Sequence, residues 1–149
     1  MIENARVSIL VNNVVEESGC LGEHGLALHV AFVVGGKEQR LLLDTGQTDL
    51  ILQHNMKKLG FLAADLAVVV ISHGHYDHTG GVPLVLKSSR KAKVYCHAGV
   101  VQPRYSMRNG TAKAAGDSIR KPANAKDALP GTTGAIPASR KPTTIPWST

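Results

Sequence analysis

Residues 66–81 read Leu66-Ala67-Val68-Val69-Val70-Ile71-Ser72-His73-Gly74-His75-Tyr76-Asp77-His78-Thr79-Gly80-Gly81, an apolar run that leads straight into three histidines and an aspartate. The run has the length of a strand, and the absence of alternation is what a strand covered on both faces produces. It therefore delivers His73, His75, Asp77 and His78 together at its carboxyl end. Borderline metals such as zinc take neutral imidazole nitrogen and carboxylate oxygen, so a loop presenting both in quick succession can feed two adjacent ions. A single histidine here would be read as an ordinary surface or core imidazole. Four donors within six positions shift the reading to a metal site. Gly74 permits the tight backbone path, and Gly80-Gly81 lets the following helix approach closely.

Working outward, Thr48 or Asp49 caps a helix whose Leu52, Met56 and Leu59 recur at helical spacing, with Lys57 and Lys58 near its end and Gly60 stopping it. Before it, residues 26–34 and 39–43 are strands joined through Gly35-Gly36-Lys37, and the second runs into Asp44-Thr45-Gly46. Residues 6–13 form a strand ended by Asn12-Asn13. Downstream, residues 81–88 form a short helix with Pro83 in its first turn, and Lys93 to Cys96 returns as a strand. The order β-β-β-α-β-α-β describes an α/β class fold, a mixed sheet with helical cover.

One domain of residues 1–110 is expected, followed by a Pro/Ala/Thr-rich tail of residues 111–149. Five of the seven prolines (Pro122, Pro130, Pro137, Pro142, Pro146) lie in the tail. Its isolated large apolar residues offset too little ordering entropy, so disorder is expected there.

The tail also holds six of the basic residues (Lys113, Arg120, Lys121, Lys126, Arg140, Lys141) against two acids, and so carries most of the net charge of +6. Without interleaved aromatics this basicity describes a solvated segment, not a specific nucleic-acid site. Cys20 and Cys96 belong to no CxxC pattern and are expected to be reduced, buried small residues. No run approaches membrane-spanning length and no secretory leader opens the chain, so a cytoplasmic protein without membrane contact is expected.

The pattern H-x-H-x-D-H after a hydrophobic strand resembles the metallo-β-lactamase superfamily at every motif position. Glu23-His24-Gly25-Leu26, the phrase at 72–81 and Tyr105-Ser106-Met107-Arg108-Asn109-Gly110 are similar to its 7,8-dihydropterin-6-methyl-4-(β-D-ribofuranosyl)aminobenzene 5′-phosphate synthase-like branch. The resemblance implies an αββα sandwich of which this chain holds the N-terminal half. It implies two divalent ions, zinc or alternatively iron or manganese. His73 and His75 would bind the first ion; Asp77 and His78 would bind the second. Asp77 would also orient the water that attacks a carbonyl or phosphoryl centre. Asp44 would hold the metal loop by hydrogen bonds, the alternative being a turn-forming aspartate before Gly46.

Family members draw a further histidine, a bridging aspartate and a final histidine from a second half, whereas this chain has no histidine after His97. Two ligands per ion against the usual three predict weakened metal occupancy, a truncated chain and an uncovered sheet face inviting homo-oligomerisation. His24 and His97 are candidates to line the pocket, each with an ordinary loop imidazole as the alternative. His29 and His54 sit in a strand and a helix, where structural roles are commoner.

Three functional readings compete. The first is a metal-dependent hydrolase or related transferase acting on a small, phosphorylated or cyclic substrate. The second is a nonenzymatic fragment that binds metal weakly or serves as an oligomeric module. The third takes Leu42-Leu43-Asp44-Thr45-Gly46 as a retropepsin-like aspartic protease, which leaves the His73 to His78 cluster unexplained.

Overall fold

The structure is a computed structural model that describes residues 1–102 and 104–116. Three β-rich segments build an antiparallel meander: β1 (Ile2–Val11), β2 (Ala27–Val34) and β3 (Lys37–Leu43). Gly35 and Gly36, both at positive φ, close the two-residue turn between Val34 and Lys37. A turn with two positive φ values matches the right-handed twist of its strands, which is why glycine occupies both places.

The chain then leaves the sheet through helix α1 (Asp49–Lys58), whose Thr48 side chain accepts from Ile51 N–H. It returns as β4 (Val68–Ile71), parallel to β3. The short helices α2 (Tyr76–Thr79) and α3 (Val82–Ser88) follow, and β5 (Lys93–Cys96) adds a second parallel pairing to β4. The sheet order is β1-β2-β3-β4-β5, a mixed sheet with helices as expected.

The register sorts the two faces. His29, Leu42, Val69 and Val94 are mutual neighbours across β2 to β5 and all are buried. Leu52 and Met56 of α1 and Val82 and Val85 of α3 complete the same core cluster. Burial of each such side chain contributes about 1.5–3 kcal/mol. The opposite row, Ile9, Leu28, Leu43, Val70 and Tyr95, is exposed or half-buried. The expectation that residues 66–71 are covered on both faces is therefore corrected. Val69 and Ile71 are buried, but Val68 and Val70 are half-buried among the described residues. Both cysteines are free and half-buried, not fully buried, and burial pushes the Cys96 thiol pKa up.

A hairpin of β6 (Arg104–Arg108) and β7 (Thr111–Gly116) ends the described chain. Asn109 and Gly110, both at positive φ, form its turn. Asn-Gly is the strongest short hairpin signal a sequence can carry. The expected boundary at residue 110 thus falls inside a hairpin, and Thr111–Gly116 is strand. The tail beyond it, with its expected disorder, lies outside the described residues. No helix among the described residues is long and apolar enough to cross a membrane.

Candidate metal centre

Asp44 follows β3 directly, in the left-handed region at φ 56, a conformation that is costly for a residue with a side chain. Its surroundings hold it there. Its N–H donates to Val70 O at 2.8 Å, and its side chain, 1% exposed within the residue as a whole, accepts from three donors. Ser72 N–H donates to Oδ1 at 2.8 Å and Ser72 Oγ donates to Oδ2 at 2.6 Å. His78 Nδ1 donates to Oδ2 at 2.8 Å. This buried, triply bonded carboxylate is unlike the solvent-facing aspartate an acid protease needs, and the retropepsin-like reading falls with that observation.

Thr45 and Gly46 extend the lock. Thr45 N–H and Oγ1 both donate to His78 O, at 2.9 and 3.0 Å, and Gly80 N–H donates to Gly46 O at 2.9 Å. A Cβ on Gly80 would stand 1.8 Å from Gln47 O, so glycine is required for the metal loop to close on the turn after β3.

The bonds around Asp44 assign the tautomers of two imidazoles. A carboxylate only accepts, so the Ser72 hydroxyl spends its proton on Asp44 and must accept from His73 Nδ1 at 2.9 Å. His73 therefore carries its proton on Nδ1 and leaves Nε2 bare. His78, donating from Nδ1 to Asp44, likewise leaves its Nε2 bare. Burial, together with the neighbouring His78 and His75, holds the His73 pKa below the ordinary imidazole value, which keeps the ring neutral.

Each bare nitrogen faces another potential donor to a metal. His73 Nε2 lies 3.1 Å from His75 Nδ1, and His78 Nε2 lies 3.4 Å from Asp77 Oδ2. Two nitrogens bound tetrahedrally to zinc at 2.0–2.1 Å stand about 3.3 Å apart, so both separations match the edge of such a shell. The His78–Asp77 pair sets a lone pair against a carboxylate oxygen, an arrangement that a cation relieves. The donor types and their spacing are those of metal ligands. Among the described residues no set of three His, Cys, Asp or Glu converges into a closed ligand group.

Of the other expected residues, His24 is brought to the site: its Nε2 lies 3.3 Å from Asp77 Oδ2. His97 stands at the end of β5, where its Nδ1 accepts from Gly99 N–H. Among the described residues it makes no hydrogen bond to the metal loop. His54 bonds Gly19 O, and His29 is buried against Phe61 with ring centroids 4.0 Å apart. Three contributors escaped the sequence reading. Glu23 Oε1 accepts from Gln47 and Thr48 N–H, at 2.8 and 2.9 Å, and Oε2 accepts from Thr48 Oγ1 at 2.7 Å, anchoring the Glu23–Leu26 segment on α1. Asn13 bonds both Gly25 and His24. Asn55 ties α1 to Leu10 and Leu21. Only the Glu-His-Gly-Leu phrase pointed toward any of them.

The profile of the metallo-β-lactamase superfamily matches residues 24–144, most of the chain, including Asp44 and the loop from His73 to His78. The chain belongs to the metallo-β-lactamase superfamily. A 7,8-dihydropterin-6-methyl-4-(β-D-ribofuranosyl)-aminobenzene-5′-phosphate synthase of Methanocaldococcus jannaschii is 26% identical over 85 residues, 56% of this chain and 29% of that one. An atrochrysone carboxyl ACP thioesterase of Aspergillus terreus is 36% identical over 84 residues, 53% of this chain and 23% of that one. The chain thus spans less than a third of the length of either relative. Among solved structures, the metallo-β-lactamase MIM-1 of Novosphingobium pentaromativorans aligns with TM-score 0.38 and 26% identity, over 48% of this chain and 25% of that one. Superfamily membership carries with it a family of hydrolases and related enzymes that generally use divalent metals.

Proposed function

We propose that this chain supplies the metal-binding loop of a binuclear, zinc-type hydrolase or related transferase acting on a small, phosphorylated substrate. The observation that carries this reading is the pair of bare Nε2 atoms, on His73 and His78, that Asp44 sets opposite His75 Nδ1 and Asp77 Oδ2. His73 and His75 would hold one ion, and Asp77 and His78 the other. Bound divalent ions would supply Lewis acidity at a carbonyl or phosphoryl centre.

The chain's own residues do the preparatory work. Asp44 and Ser72 orient the rings and keep their protons on the side away from the ions. Asp77, at 8% exposure, contributes negative charge in a partly dry setting where electrostatic attraction is stronger than in water. A phosphorylated substrate is supported by the synthase relative, whose name specifies a 5′-phosphate. Thioester hydrolysis is the activity named for the other relative, so the carbonyl alternative stands beside it.

A second reading, a nonenzymatic module that binds metal weakly and assembles through the Ile9–Tyr95 face, is favoured by the two donors per ion. Metal stoichiometry separates the two. Elemental analysis of purified protein is expected to give about two divalent ions per chain, lost in His75→Ala and Asp77→Ala. Substoichiometric metal unchanged by those substitutions would sink the enzyme reading.

A further inference from the structure

The Glu23–Leu26 segment meets the metal loop at Asp77 twice, and the His24 ring also lies 6.4 Å, centroid to centroid, from that of Tyr76. Leu26 N–H donates to Asp77 O at 3.3 Å, and His24 Nε2 lies 3.3 Å from Asp77 Oδ2. Gly25 makes that approach achievable: at φ 130, a Cβ there would stand 2.1 Å from Asp77 O. The clamp is fixed at its other end by Glu23 on the N-terminus of α1.

The tautomer of His24 follows from its neighbours. Gly25 N–H donates to Asn13 Oδ1 at 3.1 Å, so the carboxamide is oriented with Nδ2 outward, 3.3 Å from His24 Nδ1. An amide nitrogen only donates, so His24 Nδ1 must accept. The His24 proton then sits on Nε2, where it meets Asp77 Oδ2.

We propose that His24 is a positioning residue for Asp77: in the Nε2–H tautomer selected by Asn13, it sets a ring N–H, not a lone pair, 3.3 Å from Asp77 Oδ2 on the side away from His78 Nε2. Its consequence for metal rests on the binuclear reading above. His24 is not itself a ligand in this arrangement, because its bare nitrogen is turned to Asn13. The segment Glu23-His24-Gly25-Leu26 acts as one device: Glu23 anchors it, Gly25 permits the approach, Leu26 bonds the Asp77 backbone carbonyl and His24 faces the carboxylate.

The test has two independent parts. In metal-free, ¹⁵N-labelled full-length protein at a pH where the ring is neutral, long-range ¹H–¹⁵N correlation is expected to show His24 protonated on Nε2. Asn13→Ala should shrink that bias without erasing it, because Nδ1 loses its donor while Asp77 still faces Nε2. A His24 protonated on Nδ1, or a bias unchanged in Asn13→Ala, overturns the inference. Zinc titration against a competing chromophoric chelator gives the second part. His24→Ala should weaken the weaker-bound equivalent about 10-fold or more while leaving the melting temperature unchanged. His24→Gln, which retains a donor, should restore part of the loss, and His24→Glu, which presents an acceptor, should not. Unchanged affinity in His24→Ala overturns the inference. Wild-type protein that takes up no zinc refutes the metal reading instead, and the tautomer measurement then decides the His24–Asp77 contact alone.

Discussion

Asp44→Asn isolates the element on which the metal site depends. Asparagine matches aspartate in shape and tolerates φ 56 well, so the backbone is not taxed by the change. The difference lies in one atom. If Oδ1 keeps its bond from Ser72 N–H, the amide nitrogen replaces Oδ2 and turns an acceptor into a donor facing both Ser72 Oγ and His78 Nδ1. His78 must then accept at Nδ1 and carry its proton on Nε2. Ser72, now accepting from the amide, has its own proton free for His73 Nδ1, and His73 moves its proton to Nε2 as well. One substitution therefore closes both metal-facing nitrogens. Changes to groups that orient metal-binding histidines cost about 10–100-fold in affinity, which is about 1.4–2.8 kcal/mol. Loss of the charge-assisted bonds also lowers folding stability by about 1.5–3 kcal/mol. The assay is zinc competition with a chelator beside a denaturant titration, at a temperature where the variant is folded. A folded Asp44→Asn protein that binds zinc within twofold of wild type would refute the tautomer account.

His29 is buried with Nδ1 lacking a partner, and burial, then repulsion from Arg40 and Arg6, lowers its pKa below 6.5 against an opposing pull from Glu38. Its folded-state pKa being depressed, its stability contribution is full above the unfolded value and is lost as pH falls below it. Denaturant titrations at pH 7.5 and 5.5 should show a smaller acid loss in His29→Phe, which keeps the stack on Phe61, than in wild type. Gly80→Ala drives a methyl group into the Gln47 backbone and is expected to cost about 3 kcal/mol or more, read as a lowered denaturation midpoint. An unchanged midpoint would mean the loop is not closed on the turn after β3. Asn55→Leu strands Leu10 O together with Leu21 O and N–H, and should cost at least about 2–3 kcal/mol by the same measurement.

Much of the fold was legible because its determinants are local. The Gly35-Gly36 turn, the Thr48 cap, the 3.6-residue spacing of Leu52, Met56 and Leu59, and Pro83 at the start of α3 each act within a few residues. The Asn109-Gly110 turn carries an equally local signal, which the compositional change just after it masks. Coverage of β4 was misjudged for a different reason: an apolar run gives the polarity of both faces but does not reveal what packs against either.

The candidate donors His73, His75, Asp77 and His78 were determined by the sequence itself, since a six-residue span at a strand end places them together whatever the rest of the chain does. Tertiary structure alone decided how they are used. Asp44 lies 28 residues from Ser72 and 34 from His78, while His24, bonded to Asn13, reaches Asp77 from a loop before β2. Proton placement on a histidine depends on the partner at its other nitrogen, and those partners arrive only when β3 pairs with β4 and the Glu23–Leu26 segment folds over the metal loop. Residue types specify which atoms can bind a metal; only the folded hydrogen-bond network specifies which of them present a free lone pair.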